Sequence, residues 1–308
     1  MKEIESWKNG EWIPNSKIGT QLWDAHYFFG WAVFDAFRTY NGKIHMYDCH
    51  IHRFYRSARM CSIEVPLKKE HLKEKISEVM KHNREFFKDD EYRFMVFLSP
   101  GNFKIYKDMG VTDPSLTINV TTTSRYAPHI YPYLEKGFVS LITQQRQIPS
   151  RYLDPKIKSC SRLHYGLADT EAATYGEGVL PILLDEHGYI CESSGSNVGF
   201  IKDEEIFLPQ SKDMLQGCTI NFVEQVVKNK VSITYGDWEP YDLVNADALF
   251  YTSTFLGVMP SYELIYKNKK FSLNKKKAKK VYETIVAEYS KAVDVNVYDQ
   301  WRKWYEML

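Results

Sequence analysis

The sequence predicts a mixed fold, α+β or α/β, in two domains. A small N-terminal α/β domain is expected over residues 1–121, a connection over 122–133 and a larger C-terminal domain over 134–308. Three observations predict this. The 308 residues are enough for two domains or one large one. Helical and strand patterns alternate along both halves. Between them, Thr121 to Tyr133 is polar, aromatic and Pro-containing with no clear period, as a connection would be.

In the first half, Trp7 to Trp12 reads as a short hairpin about Asn9-Gly10, a favoured two-residue turn. Val33 to Tyr40 reads as a strand, and Asn41-Gly42 as a second turn before Lys43 to Met46. Asp48 can cap a helix on which Ile51, Phe54, Tyr55, Ala58 and Cys61 fall near one face. A long amphipathic helix is expected from about Leu67 to Phe87, with Leu72, Ile76, Val79 and Met80 as its apolar stripe. Tyr92 to Leu98 and Leu116 to Val120 read as strands.

The second half opens with a strand, Gly137 to Thr143, and a loop holding Pro149 and Pro155. A compact unit spans Asp154 to Pro209. It contains Ile157-Lys158-Ser159, a helix-like run from Leu163 to Ala173, an apolar strand from Leu180 to Leu184 and a tight turn at Asp185-Glu186-His187-Gly188. A further strand passes into Glu192-Ser193-Ser194-Gly195-Ser196-Asn197. Gly217 precedes a helix to about Lys228; Val231 to Tyr235 and Ala248 to Thr252 read as strands, the latter ending at Ser253-Thr254. A last long helix, capped by Asn274, runs to about Ala292 with Val281, Ile285 and Tyr289 inward. The tail, Val297 to Leu308, carries Trp301, Trp304 and Tyr305 and reads as a docked amphipathic end.

Composition narrows the function classes. The formal net charge of +1 gives no bulk attraction to nucleic acid or an anionic membrane. No run approaches the ~20 apolar residues of a membrane span. The five cysteines are scattered, odd in number and lack CxxC spacing, which fits a reducing cytosol better than a disulfide framework. Met1 to Glu5 holds no apolar core of signal-peptide length, so a cytoplasmic protein is expected.

Lys158 is the leading chemical candidate. A lysine amine becomes a nucleophile when burial or a neighbouring cation lowers its pKa, and it then forms Schiff bases. Taken alone, a lysine is far more often solvated or structural. Glu192 is a candidate carboxylate partner for a pyridine nitrogen, or simply a surface glutamate closing a hairpin. Gly217-Cys218-Thr219 opens a helix, where free N–H groups favour an anion. Ser253-Thr254 offers two hydroxyls, and Arg53 a bidentate cation. Cys49-His50-x-His52 brings metal-ligand types together, but no second ligand group is evident and no metal is expected. No Gly-rich nucleotide loop is present.

In collinear order the sequence carries Phe29-Gly30-x-x-Val33-Phe34-Asp35, Tyr40-Asn41-Gly42, His50-x-x-Arg53-Phe54-x-x-Ser57-Ala58 and Ile157-Lys158-Ser159. Leu167-Ala168-x-x-Glu171-Ala172, Leu184-Asp185-x-x-Gly188-Tyr189-Ile190-x-Glu192-x-x-x-x-Asn197, Leu215-x-Gly217-x-Thr219 and Ser253-Thr254 follow. This series resembles the fold-type IV pyridoxal-phosphate enzymes: branched-chain aminotransferases, D-amino acid aminotransferases and aminodeoxychorismate lyases. The resemblance implies a class IV transaminase using pyridoxal 5'-phosphate, homodimeric, with Lys158 forming the internal aldimine and moving the proton. It implies Glu192 as pyridine-nitrogen partner and Leu215 packed on the ring. Arg53, Gly217, Cys218, Thr219, Ser253 and Thr254 fall at phosphate-binding positions. Trp31, Phe34 and Arg93 are substrate candidates, and the substrates implied are an amino acid, branched-chain-like or related, and a 2-oxo acid.

The chain also departs from the branched-chain pattern. Ser161-Arg162-Leu163-His164 stands where Asn-Tyr is usual, and Gly217-Cys218-Thr219-Ile220 lacks the usual arginine. Ala248 replaces a common acidic residue, and Phe34 a tyrosine frequent in D-amino acid aminotransferases. These departures argue against a standard branched-chain specificity. Two rivals stay open on sequence: a lyase using the same lysine for β-elimination, and a cofactor-binding protein without turnover.

Overall fold

The computed structural model describes residues 2–102, 105 and 114–307. It divides into two compact units: residues up to Arg125 with Ile157–Arg162, and Tyr126–Lys156 with Leu163–Leu308.

The first unit is built on a six-stranded sheet. Its elements are β1 (Glu5–Lys8), β2 (Glu11–Pro14), α1 (Ala25–Phe29), β3 (Val33–Tyr40), β4 (Lys43–Ile44), α2 (Tyr47–Met60), α3 (Lys69–His82), β5 (Tyr92–Ser99) and β6 (Ser115–Thr122). The sheet order is β2-β1-β6-β5-β3-β4. Both expected hairpin turns form. Asn9-Gly10 and Asn41-Gly42 all take positive φ, the conformation in which a two-residue turn matches strand twist. Ile51, Phe54 and Ala58 of α2 and Leu72, Ile76 and Val79 of α3 pack with Phe37, Phe94, Val96 and Ile118 into one core. This is the amphipathic stripe read from the sequence, buried against the sheet.

Two boundaries differ from expectation. Asp48 does not cap α2; it lies in the first turn, and the N-cap is Met46 in the left-handed region. The long helix expected to Phe87 ends at His82. There Asn83 turns its amide away to tie down β1, donating to the Glu5 carbonyl at 2.9 Å and accepting from the Glu5 N–H at 2.9 Å. The chain then continues as a single 3-10 turn over Arg84–Phe86.

The second unit contains α4 (Ala127–Lys136), β7 (Phe138–Arg146), α5 (Leu163–Ala173), β8 (Val179–Leu184), β9 (Ile190–Glu192), β10 (Asn197–Lys202), β11 (Glu205–Pro209) and α6 (Cys218–Val227). It continues with β12 (Ile233–Gly236), α7 (Pro240–Val244), β13 (Ala248–Ser253), β14 (Gly257–Tyr266), β15 (Lys269–Ser272), α8 (Lys275–Val293) and α9 (Val297–Glu306). Its strands run β12-β11-β10-β13-β14-β7-β8-β9, with β15 on β14. β9 also pairs with β10 through Asn197↔Glu192, so the path from β10 round to β9 closes on itself. Closure removes two exposed edges. It also puts Glu192 at the seam.

The aperiodic connection expected at 122–133 is instead largely helical. Ala127, Ile130 and Leu134 of α4 are buried at i, i+3 and i+7, a spacing disguised by Pro132 within the helix. The strand expected from Val231 starts at Ile233. The tail docks as expected: Trp301 and Trp304 of α9 are buried in the second unit's core. Cys61, Cys160 and Cys191 are free thiols.

Candidate active site

The lysine segment is held as an added edge on β3. Ser159 forms an antiparallel bridge with Val33. The Lys158 carbonyl accepts from the Phe34 N–H at 3.0 Å, and the Cys160 N–H donates to the Ala32 carbonyl at 2.9 Å. The Lys158 N–H donates to Ser57 Oγ at 3.0 Å. Ser161 Oγ donates to the carbonyls of Phe29 and Gly30 at 3.1 and 3.2 Å. Gly30 makes that approach possible, because a Cβ there would lie 2.9 Å from Ser161 Oγ and 3.1 Å from its Cα.

The Lys158 side chain runs over an aromatic ring. Its Nζ is 5.0 Å from the Phe34 ring centroid, and Arg162 Cζ is 5.6 Å from the same centroid. Phe34, one of the substrate candidates, thus carries two cations. Trp31, another, donates from Nε1 to the Cys61 carbonyl at 2.9 Å. Arg93 is placed elsewhere in the unit. On β5 it pairs in register with Arg38, while Phe97 pairs with Phe34. Four residues of strand put about 13 Å between those two pairs.

Arg53 has a partner that the sequence did not disclose. Its Nε donates to Asp35 Oδ2 at 2.8 Å and its Nη2 to Oδ1 at 2.9 Å. His50 Nδ1 lies 2.8 Å from Asp35 Oδ1. Asp35 has no solvent exposure. Burial alone would raise its pKa, but the charge of Arg53 and the hydrogen bonds from Arg53 and His50 hold the carboxyl well below the usual range. Burial likewise pushes the His50 pKa down, against the pull of Asp35, which favours a neutral ring donating from Nδ1. His50 Nε2 is buried with no hydrogen-bond partner. The His50-x-His52 pair therefore serves an ion-paired cluster through His50.

In the second unit Glu192 is 4% exposed. Its Oε1 accepts from Tyr165 Oη at 2.7 Å, Gln147 Nε2 at 2.9 Å and the Leu215 N–H at 3.1 Å. Asn197 Nδ2 lies 3.4 Å from Oε2 and donates to the Leu215 carbonyl at 2.9 Å. These four donors are neutral, and three converge on one oxygen. They fix the orientation of the carboxylate. The reading of Glu192 as a surface residue is therefore wrong.

Asn197 also packs against Gly217, where a Cβ would lie 1.9 Å from Asn197 Oδ1. Gly217 is the N-cap of α6 and offers no side-chain acceptor to the N–H groups of its first turn. Cys218 and Thr219 open that turn, both buried. Leu215 and Gly217 also line a cavity of about 350 Å³ bordered by Asn197, Lys156 and Tyr235. Ser253 ends β13 and its Oγ accepts from the Leu256 N–H at 3.3 Å, with Thr254 next in the turn. Thr252 Oγ1, one residue earlier, is buried without a hydrogen-bond partner.

The sequence profile described as "Amino-transferase class IV" matches residues 32–263, well over half the chain. The chain belongs to the class IV aminotransferases. Among similar class IV proteins is a putative branched-chain-amino-acid aminotransferase of Methanocaldococcus jannaschii, 27% identical, with 95% of this chain and 98% of that one covered. A D-alanine aminotransferase of Listeria monocytogenes is also 27% identical, covering 82% and 84%. A solved branched-chain aminotransferase of Thermoproteus uzoniensis with norvaline shares the fold at TM-score 0.79 and 20% identity, covering 95% of each chain. The Escherichia coli branched-chain enzyme does so at TM-score 0.78 and 18% identity, covering 92% of each.

Gln147, Tyr165, Asp35 and Ser57 had no role assigned from the sequence. Tyr165 and Gln147 are 27 and 45 residues from Glu192. Only their types, a phenol and an amide able to donate to a carboxylate, hinted at them.

Proposed function

We propose that this class IV transaminase carries pyridoxal 5'-phosphate on Lys158. Glu192 holds the cofactor's ring nitrogen. Arg53, Gly217, Cys218, Thr219, Ser253 and Thr254 bind the phosphate, and Leu215 packs on the ring. The residues fit the group. A buried carboxylate with four neutral donors suits a protonated nitrogen. An N-cap glycine without a side-chain acceptor leaves α6 open to an anion. When bound, the cofactor supplies an electron sink for charge at the substrate Cα. Lys158 Nζ takes and returns the Cα proton.

The amine moves between an amino acid and a 2-oxo acid, branched-chain-like or related. Relatives named for branched-chain and for D-alanine transfer share the same 27% identity with this chain over their aligned residues, so the handedness of the substrate is left to a donor panel. A homodimer is part of the proposal. Leu22, Tyr27, Phe28, Phe29 and Trp31 are exposed within ten residues, a density that suits a subunit contact. Among the described residues no helix is long and apolar enough to cross a membrane. We place the enzyme in the cytoplasm, where amino acids and 2-oxo acids are exchanged.

The buried, four-donor setting of Glu192 is the observation that carries this reading. Its test is the absorbance of the purified protein with pyridoxal phosphate, before and after adding L- or D-amino acids. A yellow form converted by one donor, and fixed to Lys158 by borohydride in the wild type but not in Lys158→Ala, is the expected result. A colourless protein sinks the cofactor assignment. A coloured protein that no donor converts sinks transamination and leaves elimination or no turnover.

A further inference from the structure

We propose that Ser57 is a positioning residue for Lys158, and that one face of α2 sets the lysine in register with the arginine at the phosphate-binding position. The inference rests on the proposed role of Lys158 and concerns residues of the first unit alone.

The lysine segment has no regular element of its own. What fixes Lys158 is a pair of main-chain hydrogen bonds on its two sides. The carbonyl accepts from the Phe34 N–H, as any strand edge allows. The N–H donates to a side chain, Ser57 Oγ, at 3.0 Å. Ser57 lies 101 residues earlier in the chain and is 1% exposed. A serine so buried has few rotamers open to it, so its oxygen is a fixed point.

The helix gives that fixed point its meaning. His50, Arg53 and Ser57 stand at i, i+3 and i+7 of α2, hence on one face. His50 and Arg53 both reach Asp35 of β3. Ser57 reaches the main chain of Lys158, which lies beside Phe34 of the same strand. Two turns of α2 and two adjacent residues of β3 therefore form a frame. At one end it holds a guanidinium and at the other a lysine Cα. Proton transfer is sensitive to donor placement at the level of an ångström, and an amine on a flexible four-carbon stem is only as well placed as its main chain.

The alternative is that Ser57 merely fills space under Lys158. Substitution by Ala removes the acceptor and leaves the Lys158 N–H without it; Thr keeps an Oγ at the cost of an added methyl. Two readouts are taken. The first is amide hydrogen exchange of the 157–162 segment in the cofactor-free chain. The second is the kcat and KM of half-transamination with saturating pyridoxal phosphate. A lost hydrogen bond of about 1–1.4 kcal/mol corresponds to roughly fivefold to tenfold in either quantity.

For Ser57→Ala we expect exchange at 157–162 to quicken by about tenfold. We expect kcat to fall by about tenfold, with KM and the pyridoxal phosphate Kd changed less than about threefold. Ser57→Thr should recover most of the kcat. If Ser57→Ala exchanges and turns over like the wild type, or if its Kd for pyridoxal phosphate weakens as much as kcat falls, the positioning role is wrong. A variant that does not fold on its own is read by exchange in the segment relative to the rest of the first unit, and uniform acceleration also overturns the role. Failure of the underlying reading looks different, since wild-type protein would then carry no borohydride label at Lys158.

Discussion

Asp35 and Arg53 form a two-point ion pair, Nε to Oδ2 at 2.8 Å and Nη2 to Oδ1 at 2.9 Å, on a carboxylate closed to solvent. A carboxylate in that position is costly unless its charge is met, and both of its oxygens are engaged. The pair fixes the plane of the guanidinium. Asp35→Asn breaks it from one side. The expected effect is destabilisation by about 3–5 kcal/mol, together with a weakened Kd for pyridoxal phosphate. Urea denaturation and an absorbance titration check the two parts. Unchanged cofactor affinity in a folded Asp35→Asn protein would show that Arg53 does not meet the phosphate.

Acid should unfold the first unit early. Burial, with the nearby charge of Arg38, pushes the His45 pKa down to about 4 from an ordinary 6.5. Between those values the unfolded chain binds a proton that the folded chain does not. Stability therefore falls as pH drops through that window, by on the order of 3 kcal/mol at the bottom of it. His50 acts in the same direction. Asp35, with its pKa depressed, holds its contribution above the usual carboxylate pKa and loses it as pH falls further. Urea midpoints measured from pH 7.5 to 4.5 should drop steeply, and less steeply in His45→Gln. An equal slope in the two proteins contradicts the assignment to His45.

Glu192→Gln replaces an anion with a neutral amide and should lower kcat by about two orders of magnitude. Tyr165→Phe removes one of the three donors on Oε1 and should cost about 1 kcal/mol, or about fivefold in kcat. The ranking is the informative part. Steady-state rates in which Tyr165→Phe is as damaging as Glu192→Gln would mean that the phenol, not the carboxylate, is the chemically important group.

Two glycines give opposite expectations for the same change. At Gly217 an added Cβ meets Asn197 Oδ1 at 1.9 Å, so Gly217→Ala must push aside the amide that tethers the Leu215 carbonyl. The pyridoxal phosphate Kd should weaken by about tenfold or more, given loss of at least one hydrogen bond's worth of order. At Gly166, inside α5, a Cβ meets nothing within 4 Å. Gly166→Ala should stabilise by about 0.5–1 kcal/mol from helix propensity alone. Thermal melts and cofactor titrations of both variants test the pair, and a tolerated Gly217→Ala would show that the Asn197 contact is soft.

Much of the architecture was readable locally. The hairpins at Asn9-Gly10 and Asn41-Gly42 need positive φ, and the residue types say so. The stripes of α2 and α3 and the tryptophans of α9 follow from helical spacing, and burial bears them out. Helix ends were less legible. The end of α3 is decided by Asn83 reaching a strand 78 residues away, and α4 hides its period behind Pro132.

By itself the sequence determined the family. An ordered set of short motifs also picked out the proposed cofactor lysine, its glutamate partner and the proposed phosphate-binding positions, because such motifs consist of residue types at fixed places along the chain. The tertiary structure decided what those side chains are. It drew Ile157–Arg162 onto β3 of the first unit, away from its sequence neighbours. It buried Glu192 at the seam where β9 meets β10 and gathered donors from positions 147, 165, 197 and 215 around it. It paired Arg53 with Asp35 and Lys158 with Ser57. Hydrogen bonds and ion pairs act over about 3 Å of space, and partners that far apart in sequence leave no period or spacing from which to read them.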